Sequence, residues 1–309
     1  MEYLVTSFNT VAPLLLLMSV GLLLRKIGLA KKEFFLTLNK VVYYVGLPCM
    51  MFRNIVREQE VSSDWHVVAF MLGVTLLLFV TMWIVLPHFV RDPKRRGAIT
   101  QAAVRSNDSI FSLTVAATML PEGTFGLTIF TAALVATEYN ILSIITLEMN
   151  RGGKIRPLIF LKRIVTNPVI LSVAAGYLFR FLGWDLPVVL QKPVEHFANM
   201  VPPVGFLTLG GILSFEGLRQ NRRELTFVTV CKLIAIPLLC TGVGALLGFR
   251  GIRLLTVLLI SAAPTAMASY PLATALGSDA ELAGEAVAIT TALSLPTVFL
   301  FLTAFGALL

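Results

Sequence analysis

Ten apolar runs dominate this sequence, near residues 5–24, 34–56, 66–90, 98–120, 124–147, 157–182, 194–215, 224–249, 253–276 and 280–307. Each is long enough for a bilayer-spanning helix, which needs about 20 mostly apolar residues. Ten such runs in 309 residues leave only short connections, so no stretch can form a separate soluble domain. Charged residues make up 14% of the chain, against roughly 25% in soluble domains. Intrinsic disorder, which needs polar and charge-rich sequence, is excluded by the same number. Three cysteines, Cys49, Cys231 and Cys240, all sit in apolar runs and make no disulfide framework. The expectation is an all-α polytopic membrane protein of ten transmembrane helices.

The basic residues orient it. Connections 1–2, 3–4, 5–6, 7–8 and 9–10 carry 14 Lys and Arg, against six in the even-numbered connections. Lys and Arg concentrate on the cytoplasmic side of short loops, so both termini are expected outside, in a multi-pass protein of the cell (inner) membrane. The first run has no basic segment before it, and Arg25 and Lys26 follow it, which is unlike a cleaved signal peptide. A net charge of +8 placed in such loops serves topology and lipid headgroups, not nucleic acid.

Dividing the chain near residue 152 gives five spans per half, 1–152 and 153–309. An odd number of spans makes the second half enter the membrane in the opposite sense, as in inverted-repeat transporters. Irregularities recur at matching offsets. Leu47-Pro48 in span 2 precedes Pro202-Pro203 in span 7 by about 155 residues, and Ser106-Asn107-Asp108-Ser109 in span 4 precedes Pro264-Thr265 in span 9 by 158.

Spans 4 and 9 hold the chemistry. Span 4 carries Arg105, Ser106, Asn107, Asp108 and Ser109 in mid-run. A charge at mid-bilayer costs about 2.5–3.5 kcal/mol on insertion scales, so this cluster must pair internally, line a cavity or interrupt the helix. Arg105 and Asp108 stand three apart and can pair on a continuous helix. The alternative is an unwound segment offering backbone groups and helix ends to a substrate. In span 9, Pro264 and Pro271 each remove a backbone donor and crowd the preceding turn, which makes them, with Pro48, the expected helix breaks.

At these residues the chain resembles the auxin efflux carrier family, whose bacterial members include malate and malonate permeases. The segments are Leu38-NKVVYYVGLPCMMFRNI, Arg105-SN, Ser261-AAPTAMASYPLA and Gly277-SDAELAGEAVAITTALSLPT. The resemblance implies two inverted five-helix repeats, with spans 1, 2, 6 and 7 as a scaffold and spans 3–5 and 8–10 as a transport domain. Broken helices 4 and 9 would cross at mid-membrane, where Ser106, Asn107, Asp108, Pro264 and Thr265 would meet substrate. Two features depart from the family pattern: Phe111-Ser112-Leu113-Thr114 replaces a Gly and Pro after the Ser-Asn pair, and an acidic residue follows Asn107.

Further polar groups lie inside spans. Glu138-Tyr139-Asn140 in span 5 is central, and Lys232 lies eight residues into span 8. Arg105, Ser109 and Asn140 join the expected substrate-binding set, and Asp108, Glu138 and Lys232 are candidates for charge relay. Gly244 and Gly248 form a GxxxG step that reads as helix packing. No metal-spaced His or Cys set and no phosphate loop is present, so neither metal nor cofactor is expected. No nucleophile–base pair suggests an intramembrane enzyme. The function expected is a secondary transporter of a small organic anion, of the carboxylate class, working by alternating access with H+ or Na+ as coupling ion. A sodium-coupled symporter or cation/proton antiporter of a related fold is the alternative. Expected partners are the anion, the lipid bilayer and, with oligomeric state open, a second copy in a homodimer.

Overall fold

The computed structural model describes residues 2–57, 64–112, 115–116, 126–151, 157–213 and 215–305. Among these the secondary structure is helical, and the one extended pairing is an isolated antiparallel bridge between Ser106 and Thr265. The helices are α1 (Glu2–Lys26), α2 (Lys32–Val56), α3 (Trp65–Phe89), α4 (Pro93–Val104), α5 (Gly126–Met149), α6 (Pro157–Val165), α7 (Pro168–Leu182), α8 (Val188–Ile212), α9 (Phe215–Gln220), α10 (Arg222–Leu246), α11 (Ile252–Ala262), α12 (Ser269–Ala275) and α13 (Ala280–Ala304). Five of them, α2, α3, α5, α10 and α13, are long and apolar enough to cross a membrane, and six spans result if α6 and α7, bent by 59°, count as one. The expected spans 4 and 9 fall short of that test because each is interrupted: α4 has 12 residues and α11 has 11.

Helix ends follow local chemistry. Asp92 accepts from the Lys94 amide at 2.9 Å with Pro93 in the first turn, and Asn167 does the same for Val169 at 2.9 Å before Pro168. Both are side-chain caps followed by a residue that needs no amide partner. Asn167-Pro168 therefore stops α6 and starts α7, which is the origin of the 59° bend.

Two expected breaks do not open their helices. α2 runs through Pro48, because the wider turn Val42–Gly46 just before it is π-helical. That turn adds a residue to the hydrogen-bonding ring and relieves the clash of the proline ring with the preceding turn. The same device appears in α10, where the π-turn Cys231–Ala235 stands just before Pro237. Pro271 lies in the first turn of α12, where a missing amide is tolerated, so it does not make a second break in span 9.

Large apolar side chains cover the outside, including Leu77, Ile84, Leu246 and Leu300. Such a surface would drive association in water and is at home in hydrocarbon. Inside, one core joins α3, α4, α5, α10, α11 and α13 through residues such as Phe79, Ile99, Val135 and Ile260. A second core joins α1, α2, α7 and α8 through Met18, Tyr43, Val173 and Phe206, and takes in Ile144 and Leu147 of α5, Met267, Tyr270 and Leu272 around α12, and Val287 of α13.

The closest helix approach is between α1 and α8. A Cβ added at Gly210 would overlap the Met18 carbonyl, and one at Gly21 would overlap the Leu207 carbonyl. Of the GxxxG pair, Gly244 packs toward α11, where an added Cβ would touch Leu254 and Val257, whereas Gly248 ends α10 at φ +87° and an added Cβ there meets nothing within 4 Å. Gly210→Val is expected to lower the thermal transition in detergent markedly, since overpacking against main chain costs about 1–3 kcal/mol or more, whereas Gly242→Ala, which opens on empty space, should leave it unchanged.

Polar contacts tie the helix ends into two groups. At one end Arg25 donates to the Gly211 carbonyl at 3.2 Å, Ser278 donates to the Lys94 carbonyl at 2.7 Å, and Arg95 reaches Glu224 at 3.1 Å and Asn221 at 2.6 Å. Glu148, Arg151 and Arg163 pair near the same end, where an added Cβ at Gly97 would touch both Asn150 and Ser278. At the other end Arg57 pairs with Glu195, and Arg253 with Asp64 at 2.5 Å.

Candidate functional site

The helix that starts at Pro93 stops at Val104, where Arg105 turns extended (φ −69°, ψ 125°), and winds again as a π-turn over Asp108–Ser112. α11 stops at Ala262, Ala263 is likewise extended (φ −59°, ψ 144°), and α12 begins at Ser269. The two breaks pair through main chain: the Asn107 amide donates to the Pro264 carbonyl at 2.8 Å, and the Ala266 amide to the Arg105 carbonyl at 3.3 Å. Helix ends leave carbonyls and amides without intrahelical partners, and inside an apolar protein each must be satisfied. Here the two interrupted helices satisfy each other.

Side chains extend the exchange. Thr265 Oγ1 donates to the Ala102 carbonyl at the end of α4 (2.6 Å), and Ser112 Oγ donates to the Leu259 carbonyl in the last turns of α11 (2.8 Å). Lys232, fully buried, donates to Ser106 Oγ at 2.5 Å and to the Ser261 carbonyl at 3.0 Å. A cation against carbonyls in the last turn of a helix opposes the negative end of its dipole. The π-turn in α10 carries Lys232; such turns recur at functional sites.

Arg105 is 4% exposed and reaches a neighbouring helix. Its Nη2 donates to Asn140 Oδ1 at 2.6 Å, and Asn140 in turn donates to the Ala136 carbonyl and the Met51 sulfur, both at 2.8 Å. Tyr139 donates to Ser106 Oγ at 3.4 Å. Between these groups is a cavity of about 40 Å³, lined by Arg105, Ser106, Asn107, Asp108, Tyr139, Asn140 and Met267, and by Met50 and Met51 of α2 and Val201 of α8. Two buried donors on its wall, Arg105 Nη1 and Asn107 Nδ2, have no hydrogen-bond partner among the described residues.

The expected site residues thus converge with some exceptions. Arg105, Ser106, Asn107, Asp108 and Asn140 line one cavity. Pro264 takes part through its carbonyl, Thr265 holds the crossing together without lining the cavity, and Lys232 stands behind Ser106. The backbone of Ser109 lies in the π-turn, and its side chain is outside the described residues. Glu138 does not line the cavity, because it stands two positions before Asn140, about 200° away around α5. Sequence reasoning passed over Ser112, Thr290, which accepts from the Thr265 amide at 3.1 Å, and Gln101, which donates to the Ser269 carbonyl at 3.1 Å. Their signal was faint, single polar residues in Ala-, Thr- and Leu-rich runs.

Two interrupted helices joined at a polar cavity within an apolar protein suit passage of a small solute. Relatives agree. An "Uncharacterized transporter" of Methanothermobacter thermautotrophicus is 26% identical over 94% of this chain and 95% of its own length. One from Methanocaldococcus jannaschii, also an "Uncharacterized transporter", is 23% identical over 95% of this chain and 97% of its own. A protein of Rhizobium meliloti named "Putative malonate transporter" is 30% identical over 51% of each chain. The family pattern described as "Membrane transport protein" matches residues 6–302, so the chain belongs to that family, the auxin efflux carriers, and is a membrane transporter rather than an enzyme.

Proposed function

We propose that this protein is a secondary transporter that carries a small carboxylate across the cell membrane by alternating access, with the crossing of the two breaks as its substrate site. The observation that carries this reading is the pair of buried donors without acceptors, Arg105 Nη1 and Asn107 Nδ2, on the wall of one cavity. A carboxylate brings acceptors for both, and an unsatisfied buried donor costs about 1–3 kcal/mol. The malonate assignment in the name of the Rhizobium meliloti relative is in keeping with a small dicarboxylate. A cavity of about 40 Å³ has room for a few waters only, so substrate requires its two walls to separate.

The walls belong to different bodies in this reading: α1, α2, α7 and α8 serve as scaffold, and α3–α5 with α10–α13 move against them. In support, the apolar packing of α3, α4, α10 and α11 lies apart from that of α1, α2, α7 and α8, while α5, α12 and α13 reach into both cores. We further read the chain as ten spans in two inverted halves. In support, α3 recurs as α10 and α4 as α11, displaced by 157 to 159 residues. Exchanging residues 105–107 with 264–266 also turns each main-chain bond of the crossing into the other. The end that gathers Arg25, Lys94, Arg95 and Arg151 is taken as cytoplasmic.

Uptake of labelled malonate, malate and related carboxylates into proteoliposomes tests the proposal. Asn107→Ala is expected to lower uptake about tenfold, for the loss of one hydrogen bond to a charged group. Uptake unchanged in both Asn107→Ala and Pro264→Ala would overturn the site. Proton flux without organic substrate would instead mark a cation/proton antiporter.

A further inference from the structure

A second cavity, of about 230 Å³, lies at the end of the molecule that gathers the basic connections. α2 and α8 supply one wall through Lys32 and Leu209, and α12 and α13 supply the other through Tyr270, Glu281, Gly284 and Glu285. Glu285 is only 2% exposed. Its Oε2 accepts one hydrogen bond, from Asn221 Nδ2 at 2.8 Å, while Oε1 has no hydrogen-bond partner among the described residues. The carboxyl group is also pressed against α9, since a Cβ added at Gly217 would overlap Oε1.

The charges around it are mostly of its own sign or engaged elsewhere. Glu281 and Asp279 stand on or beside its own helix. Arg95 of α4 is held by Asn221, Glu224 and Asp279, and no Lys or Arg among the described residues forms an ion pair with Glu285. α2 contributes Lys32 and α12 the neutral Tyr270 at the cavity wall. An ionised carboxylate in such a place is poorly compensated, and a neutral carboxylic acid is not. One free oxygen pressed against α9 supplies too few ligands for a dehydrated metal cation, and no cluster of metal-ligating residues occurs among the described residues.

We propose that Glu285 is the group that takes up and releases the coupling proton, with the 230 Å³ cavity as its water access. A hydronium ion in the cavity gives its proton to the Glu285 carboxylate, leaving water and the neutral acid, and the reverse step returns it. Tyr270 links this event to the crossing: it heads α12, its ring would contact a Cβ at Gly284, and Met267 and Ala268 just before it line the central cavity. Closing the wall of α12 and α13 onto α2 and α8 expels the cavity water, which the neutral acid withstands and the carboxylate does not. This inference rests on the transport reading and deepens it.

Two measurements test it apart from that reading. Difference infrared spectra of the purified protein, titrated from acid to neutral pH, are expected to show a protonated carboxyl band that Glu285→Gln removes and Glu281→Gln keeps. A band absent from wild type, or unaffected by Glu285→Gln, overturns the inference whatever is transported. In proteoliposomes, wild type is expected to accumulate malonate down a proton gradient with alkalinisation of the source side. Glu285→Gln is expected to retain malonate exchange while losing gradient-driven accumulation, and Glu285→Asp to recover part of it. Accumulation driven by sodium alone, or undiminished proton movement in Glu285→Gln, would overturn the inference and leave the carboxylate reading standing. Absence of any carboxylate movement in wild type alongside the infrared band would sink the carboxylate reading only.

Discussion

Lys232→Met is expected to abolish carboxylate uptake and lower the thermal transition by on the order of 5 °C or more. Lys232 Nζ holds Ser106 Oγ and the Ser261 carbonyl at once, so it ties the first break to the end of α11 from a third helix. Methionine fills a similar volume and donates nothing. The Ser261 carbonyl then loses this donor in an interior without water and Ser106 Oγ keeps only Tyr139 at 3.4 Å, a loss of about 1–3 kcal/mol for each acceptor left unsatisfied. The check is a thermal-shift curve in detergent beside the uptake assay. If Lys232→Met melts like wild type and still transports, the lysine is only a buried chain with no part in holding the crossing.

The second large effect is expected at Arg105. Arg105→Met removes the donor left over for substrate and the bond to Asn140 together, and uptake should fall about a hundredfold or more. A hydrogen bond to a charged partner contributes about 1.5–3 kcal/mol, which is a factor of roughly ten to over a hundred. Arg105→Lys keeps the charge but lacks the planar fork that can reach Asn140 and a carboxylate at the same time. It should restore only part of the rate, with the half-saturating malonate concentration raised. Equal uptake by wild type, Met and Lys variants would remove Arg105 from the site.

How much of this was legible beforehand differs from residue to residue. The break in span 4 could be read because two charges and three small polar residues stand where an apolar run should be, and a continuous helix would bring them into hydrocarbon. The partner of that break was not legible in detail. The exchange of Thr265 and Ser112 between the ends of α4 and α11 depends on which helices cross, and hydropathy does not encode that. Pro48 misled because proline normally interrupts a helix, yet a π-turn one residue upstream of Leu47 absorbs the missing amide. Glu138 was separable from Asn140 by helical phase alone, a test that needs no structure. Glu285 was hidden for another reason: five residues past the start of α13, it resembles an interfacial acid, and only the packing of α9 and α10 buries it.

The antiparallel pairing between residues 105–107 and 264–266 is made of peptide groups, and every amino acid except proline carries the same amide and carbonyl. The main-chain part of the fastening is therefore independent of what hangs from it. The side chains of Asn107 and Ala266 take no part in that main-chain pairing and can vary without breaking it, whereas Ser106 and Thr265 add bonds of their own to Lys232 and Ala102. A chain built this way can be retargeted from one solute to another by a handful of substitutions. A library randomised at 107, 266 and 268 should stay folded in most members while its selectivity spreads, with proline at 107 or 266 the replacement that unties it.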